Sequence, residues 1–330
     1  MAIHQETGAG QFPSQAVPEP QSSSEFAIIP DLFESFMSRA PEVNSHYYDV
    51  GEEAMIWIAD ICGYTETDRK RLRKADFAYF AAIAFPDASP TKLRTVTDWF
   101  NWVFAFDDQL DDGLFDHRKV EALQYINGML AVVKDVHSSE SDRLRQPARY
   151  CLKTIWQRLQ NVRAKARWAR HMVEYFEALR DSINFKPSEL LEDTIEQYMR
   201  YRLYSIAVTP IFSFLEYACN IRLPDEIFEH ESMIEIERIG VELQMLANDC
   251  VSYHRERDLG CVHNIVHLFL HHGLSLQEAY NRVHFLMRER YKRWYMAQAS
   301  LPIWGEEIDS QLRRYIKGIE DVALANAHWR

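Results

Sequence analysis

Residues 107–112 read Asp107-Asp108-Gln109-Leu110-Asp111-Asp112, and they close an apolar, aromatic run from Trp99 to Phe106. On a helix Asp107 and Asp111 share a face, as do Asp108 and Asp112, and each like-charged pair costs roughly 0.2–0.5 kcal/mol. Gly113 is expected to stop that helix, which sets the acids at the negative end of its dipole. Carboxylates concentrated there need cations. Oxygen ligands with no nearby Cys or His suit Mg²⁺, which takes a few carboxylates together with substrate phosphates.

A second constellation lies in Asn248-Asp249-Cys250-Val251-Ser252-Tyr253-His254-Arg255-Glu256. Asn248, Ser252 and Glu256 are spaced by four and four, so they project from one helical face over a rise of ~12 Å. Helical side chains lean toward the N-terminus, which lets Glu256 reach back toward Ser252 and Asn248. Three converging oxygens make a second Mg²⁺ candidate. Each motif alone has an ordinary reading. An acidic run is usually a solvated helix end, and Asn, Ser and Glu at helical spacing often arise by chance. Their conjunction, each at the C-terminal end of a strongly apolar helix, is specific.

Ser89-Pro90 suits an N-cap followed by proline at the first helical position, opening the helix that carries the acidic run. Further helical patterns cover about 117–134, 146–161, 165–182 and 188–206, with a break before Pro210. The helix holding Asn248 is expected over about 231–257, ending near Gly260. Ser275 and Glu278 form a capping box after a turn at Gly273, and a last helix runs over about 306–325. Residues 1–27, rich in Gln, Ser, Pro and Gly, read as a disordered tail, and 28–330 as one domain.

The chain has 330 residues, of which only 11 are Gly and 12 Pro, and it shows no alternating strand pattern. That composition predicts an all-α fold. A net charge of −12 without a strong basic stretch argues against nucleic-acid partners. The five cysteines are scattered and odd in number, which suggests neither a zinc site nor a disulfide framework, and a cytoplasmic setting. No apolar run reaches the ~18–20 residues that cross a bilayer, so no stable membrane insertion is expected. Helical patterns show no interface and leave a homodimer open.

With both motifs in hand, the sequence resembles class I terpene synthases, the single-domain microbial sesquiterpene cyclases in particular. Asp107, Asp108 and Asp111 resemble the family's DDxxD motif. Asn248, Asp249, Ser252 and Glu256 complete an NDxxSxxxE motif, and Arg255 stands where a basic residue often precedes the Glu. His263-Asn264-Ile265-Val266, Gly273-Leu274-Ser275 and Gln277-Glu278-Ala279 are similar to the text that follows that motif. Arg314-Tyr315 resembles an RY pair. The family's diphosphate-sensing Arg, about 46 residues before the Asn, falls on Arg202, with Arg200 a neighbouring candidate. The linker and effector positions then fall on Ser205 and Ile206. Because the effector acts through its carbonyl at a helix break, Ile206 departs from the more open Gly or Ala often found there.

The resemblance covers about residues 30–325. It implies a single-domain helical bundle around an apolar cavity, a prenyl diphosphate substrate (farnesyl diphosphate), and Mg²⁺, three ions per active site. It assigns metal binding to Asp107, Asp108, Asp111, Asn248, Ser252 and Glu256. Catalysis falls to Arg202, Ser205, Ile206, Arg314 and Tyr315, and substrate contact to Arg202, Arg255, Arg314 and Tyr315. Phe100 and Phe104, seven and three residues before Asp107, are the first candidates for cation-stabilising faces; Phe80, Phe212, Tyr217 and Trp304 are weaker ones. Two rivals remain. A chain-elongating prenyl diphosphate synthase would carry two Asp-rich motifs, and a non-catalytic helical interaction protein would have no need of these side chains.

Overall fold

Few glycines and prolines interrupt the chain, and no strand occurs among the described residues. The computed structural model describes residues 26–111, 118–134, 142–160, 162–183, 194–258 and 263–329. Three helices precede the acidic one: α1 (Tyr47–Cys62), α2 (Glu66–Ala75) and α3 (Phe77–Ala84). These were not expected from the pattern. α3 reads Phe-Ala-Tyr-Phe-Ala-Ala-Ile-Ala and is apolar all round, so it shows no amphipathic period although every residue but Tyr79 is buried.

α4 (Pro90–Asp111) starts as Ser89-Pro90 predicts, with the Ser89 carbonyl accepting from the Lys92 and Leu93 N–H groups at 3.0 and 2.8 Å. α5 (Lys119–Val133), the single-turn α6 (Asp142–Arg145), α7 (Pro147–Arg158) and α8 (Val162–Ser182) follow. α9 (Ile195–Ser205) and α10 (Thr209–Ala218) come next. Pro210 does more than end a helix: it occupies the first turn of α10, where its missing N–H costs nothing. The break between α9 and α10 puts Ala207 at φ 58°, the left-handed region that a methyl-bearing residue rarely adopts. The short α11 (Asp225–Glu229) leads into α12 (Glu231–Asp258), which is followed by α13 (Ile265–His271), α14 (Leu276–Ala299) and α15 (Glu306–His328). The predicted Ser275–Glu278 capping box forms in full at the start of α14, behind Gly273 at φ 89°.

α4 packs on α1, α3, α7 and α10, while α12 packs on α9, α10, α13, α14 and α15. α8 closes against α5, α9 and α10, and α15 returns to α3. Buried side chains form one connected core from Met37 to Ala325, anchored by Trp99, Trp102, Trp168 and Trp294. Gly240 sits where α12 presses against Ile319 of α15 and Phe212 of α10. A Cβ there would meet Ile319 Cγ2 at 2.5 Å and Phe212 Cζ at 3.0 Å. Among the described residues no helix is long and apolar enough to cross a membrane.

Candidate active site

Phe100, Val103, Phe104 and Asp107 follow one another at three, one and three residues along α4, so they fall on one face, and that face lines a cleft. α12 contributes Gln244 and Asn248, one turn apart. Phe80 of α3, Tyr175 of α8, the α9–α10 break and Asn326 of α15 complete the wall. The cleft is aromatic toward α4, where the Phe100 and Phe80 rings lie 4.6 Å apart, tilted by 40°, and Phe77 and Phe104 lie nearly parallel at 4.1 Å. Asp107 stands in this wall, and the Tyr175 hydroxyl donates to its Oδ1 at 3.2 Å.

The Asn248 face is drawn together as its spacing predicts. Ser252 Oγ donates to the Asn248 carbonyl at 2.8 Å and lies 3.5 Å from Asn248 Oδ1. Asn264, buried just before α13, ties the rest. Its Nδ2 lies 2.8 Å from Glu256 Oε2, 3.4 Å from Ser252 Oγ and 2.8 Å from the Asp249 carbonyl. Its Oδ1 meanwhile caps α13 by accepting from the Val266 N–H at 2.9 Å. An amide oxygen, a hydroxyl and a carboxylate therefore converge. Among the described residues no three His, Cys, Asp or Glu side chains cluster as a metal site, since this face brings one carboxylate with two neutral oxygens.

Asp249 turns the other way. It is fully buried, and its Oδ2 accepts from the Tyr198 hydroxyl at 2.5 Å and from the Ile265 N–H at 3.0 Å, while Oδ1 lies 3.4 Å from Arg202. Burial pushes the Asp249 carboxyl up, opposed by the Arg202 charge and the Tyr198 hydrogen bond. Burial is the largest single influence on the Arg202 charge and works against it, but Asp249, Tyr198, Glu256 and Asp107 together outweigh it and hold the guanidinium above its usual range. The Nε of Arg202 is buried with no hydrogen-bond partner among the described residues. A buried donor of this kind has unspent capacity for an anion. Nearby His263 is pushed down to about 4, first by burial and then by Arg202, so it stays neutral near pH 7. Ser205 and Ile206 both line the cleft at the end of α9, beside the left-handed Ala207.

Other expected residues lie elsewhere. Arg314 donates to the Cys219 carbonyl at 2.7 Å on the exposed side of α15. Tyr315 is completely buried and donates to Glu237 Oε1 at 2.6 Å. Glu237 precedes Asn248 by eleven residues on α12, a rise of ~17 Å, so the structure does not bring the Arg314-Tyr315 pair to the cleft. Arg200 and Arg255 are exposed and are not part of the cleft wall. Of the weaker aromatic candidates Phe80 lines the cleft. Phe212 packs against Gly240, Tyr217 faces a different cavity and Trp304 lies against His230. The side chains of Asp108 and Asp111, and all of Asp112, Gly113 and Gly260, lie outside the described residues.

A family model described as terpene synthase family 2, C-terminal metal binding, matches residues 98–293, a span that holds both the Asp107 and the Asn248 segments. The chain belongs to the terpene synthase family. This terpene synthase, a cyclase of the lyase class, is 36% identical to silphinene synthase of Penicillium patulum over 91% of its length and 83% of the relative's. It is also 36% identical to (+)-eremophilene synthase of Gibberella fujikuroi, over 91% of its length and 85% of that protein's. In fold it is similar to germacradien-4-ol synthase from Streptomyces citricolor, with a TM-score of 0.75 at 18% identity, covering 88% of this chain and 95% of that one. The all-α bundle expected from composition is thus the family's fold.

Sequence reasoning gave no role to Tyr175, Tyr198, Ala207 or Asn264. Tyr198 stands four residues before Arg202, a same-face spacing that could have flagged it. Tyr175 depends on a contact with Asp107, far away in the chain, Asn264 on the turn that folds α13 back onto α12, and Ala207 on a left-handed backbone that its side chain does not announce.

Proposed function

We propose that this terpene synthase ionises and cyclises farnesyl diphosphate, releasing inorganic diphosphate, with Mg²⁺ as its metal. The observation that carries the reading is that Asp107 and Asn248, from separate helices, open into one aromatic cleft. The donor set fits Mg²⁺: hard oxygens from Asn248, Ser252 and Glu256 on α12, and Asp107 with Asp108 and Asp111 on α4. The reading takes three ions, the number that the family resemblance implies. Bound there, Mg²⁺ would supply charge neutralisation for the departing diphosphate.

The chain's own groups divide the remaining work. Arg202, cationic and paired with Asp249, would donate its orphaned Nε to a diphosphate oxygen. Ile206 would present its carbonyl at the helix break, where Ala207 stores ~1–3 kcal/mol of backbone strain. Phe100 and Phe104 would stabilise an allylic cation by ~0.5–2 kcal/mol each, and the apolar lining would keep water from quenching it. The cleft holds about 70 Å³, against the roughly 300–1,000 Å³ of ligand pockets in general, so its aromatic wall must part to admit a prenyl chain. Arg314 and Tyr315, engaged elsewhere, take no part. The continuous core supports reading residues 28–330 as one domain.

Asp107→Asn and Asn248→Ala test the site. Each is expected to keep the wild-type circular dichroism and to lower Mg²⁺-dependent diphosphate release by at least about a hundredfold, the scale of losing one transition-state contact. A wild-type rate in either variant would overturn the assignment.

A further inference from the structure

A second cavity, of about 820 Å³, lies at the opposite end of α4 from Asp107. Lys92, in its wall, precedes Asp107 by fifteen residues, a rise of ~22 Å, so this space is separate from the cleft. Four cations line it: Lys92, Arg158, Arg163 and Arg222. Among its described lining residues the sole carboxylate is Glu216, which is already bound to buried Arg167 at 2.6 Å. In a chain of net charge −12, a cavity whose charged lining is four cations to one carboxylate runs against the bulk balance.

The charges are unevenly compensated. Arg158 is engaged by Asp98. Lys92 donates to the neutral Asn220 Oδ1 and lies 5.4 Å from the Tyr217 ring centroid, and neither contact neutralises it. The Arg222 guanidinium makes no ion pair among the described residues; only its backbone N–H is used, donating to Gln311 at 2.6 Å. Lys92 is held below the usual lysine range, first by burial; Cys219 opposes this and the Arg222 charge adds to it. Two cations therefore repel one another beside a cavity of ligand size, and an anion between them would relieve the repulsion. The Thr95 hydroxyl, 3.3 Å from the Tyr217 hydroxyl, adds a neutral polar wall. Guanidinium forks beside an ammonium suit tetrahedral phosphate oxygens.

We propose that this cavity is a metal-independent binding site for a small phosphate- or diphosphate-bearing molecule, held chiefly by Lys92 and Arg222 with Arg158 and Arg163 around it. The site does not depend on the cyclase reading, and EDTA separates the two.

Calorimetric titration of the full chain with inorganic diphosphate in EDTA tests it. Saturable one-to-one binding is expected for the wild type and for Asn248→Ala. The double variant Lys92→Gln/Arg222→Gln keeps the side-chain stems and the fold, checked by thermal melting, and should bind at least tenfold more weakly. Inorganic phosphate and farnesyl monophosphate, run in parallel, distinguish the source. Equal affinity assigns a free phosphate, and tighter binding of the ester assigns a prenyl phosphate. No saturable binding in EDTA, or undiminished binding in the double variant, would overturn the proposal.

Discussion

The side-chain amide of Asn264 donates to Glu256 Oε2 at 2.8 Å and, with the same nitrogen, reaches within 3.4 Å of Ser252 Oγ. Two of the three oxygens on the Asn248 face are thus oriented by a residue outside their helix. Asn264 holds this position because its other side-chain atom caps α13.

Those two jobs can be separated. Asn264→Ser keeps a capping oxygen, while the reach to Glu256 and to the Asp249 carbonyl is lost, at a cost in stability of about 1–3 kcal/mol. Supporting contacts to metal ligands are typically worth about 10–100-fold in affinity or activity. The Mg²⁺ concentration at half-maximal rate should rise by that order in protein that circular dichroism shows to be folded. An unaltered Mg²⁺ requirement would show that Asn264 only caps.

His171 makes stability pH-dependent. Its Nδ1 lies 2.9 Å from Ser213 Oγ and 3.0 Å from the Thr209 carbonyl, and burial, then the Arg170 charge, pushes its pKa from 6.5 to about 3. Between those values the unfolded chain binds a proton that the folded chain does not. The contribution is therefore complete above about 6.5 and is lost as pH falls, by up to ~1.4 kcal/mol per pH unit. Urea midpoints measured from pH 7 to 5 should fall, and His171→Gln should flatten the slope. Parallel curves for the two proteins would contradict this.

Gly240→Ala sets two effects against each other. Helix propensity favours Ala by about 1 kcal/mol, but its methyl would lie 2.5 Å from Ile319 Cγ2. Overpacking costs ~1–3 kcal/mol and should win, because Phe212 blocks the methyl on another side. The melting temperature should drop by a few degrees. An increase would mean that α12 and α15 separate easily.

The parts legible in the sequence were those encoded within one helix. The acidic end of α4, the Asn248 face and the Ser275 capping box each depend on spacing alone. Arg202 was picked out by its distance from Asn248, and it lies against Asp249, which a step of one residue turns about 100° around the helix from Asn248. The position of the Arg314-Tyr315 pair, away from the cleft, was not legible for the complementary reason. Its sequence text does not specify how far along α12 the neighbouring α15 places it, and the packing sets Tyr315 on Glu237. α3 escaped notice because a helix buried on all sides loses its period, and Tyr175 because only tertiary contact between α8 and α4 brings it to Asp107.

The most direct measurement is incubation of the wild-type chain with farnesyl diphosphate and Mg²⁺, with released diphosphate assayed and the volatile products identified by mass spectrometry. Diphosphate release in step with fifteen-carbon cyclic products, abolished by EDTA and restored by added Mg²⁺, is the expected result. Absence of diphosphate release from farnesyl diphosphate at any Mg²⁺ concentration, with the protein folded, would contradict it.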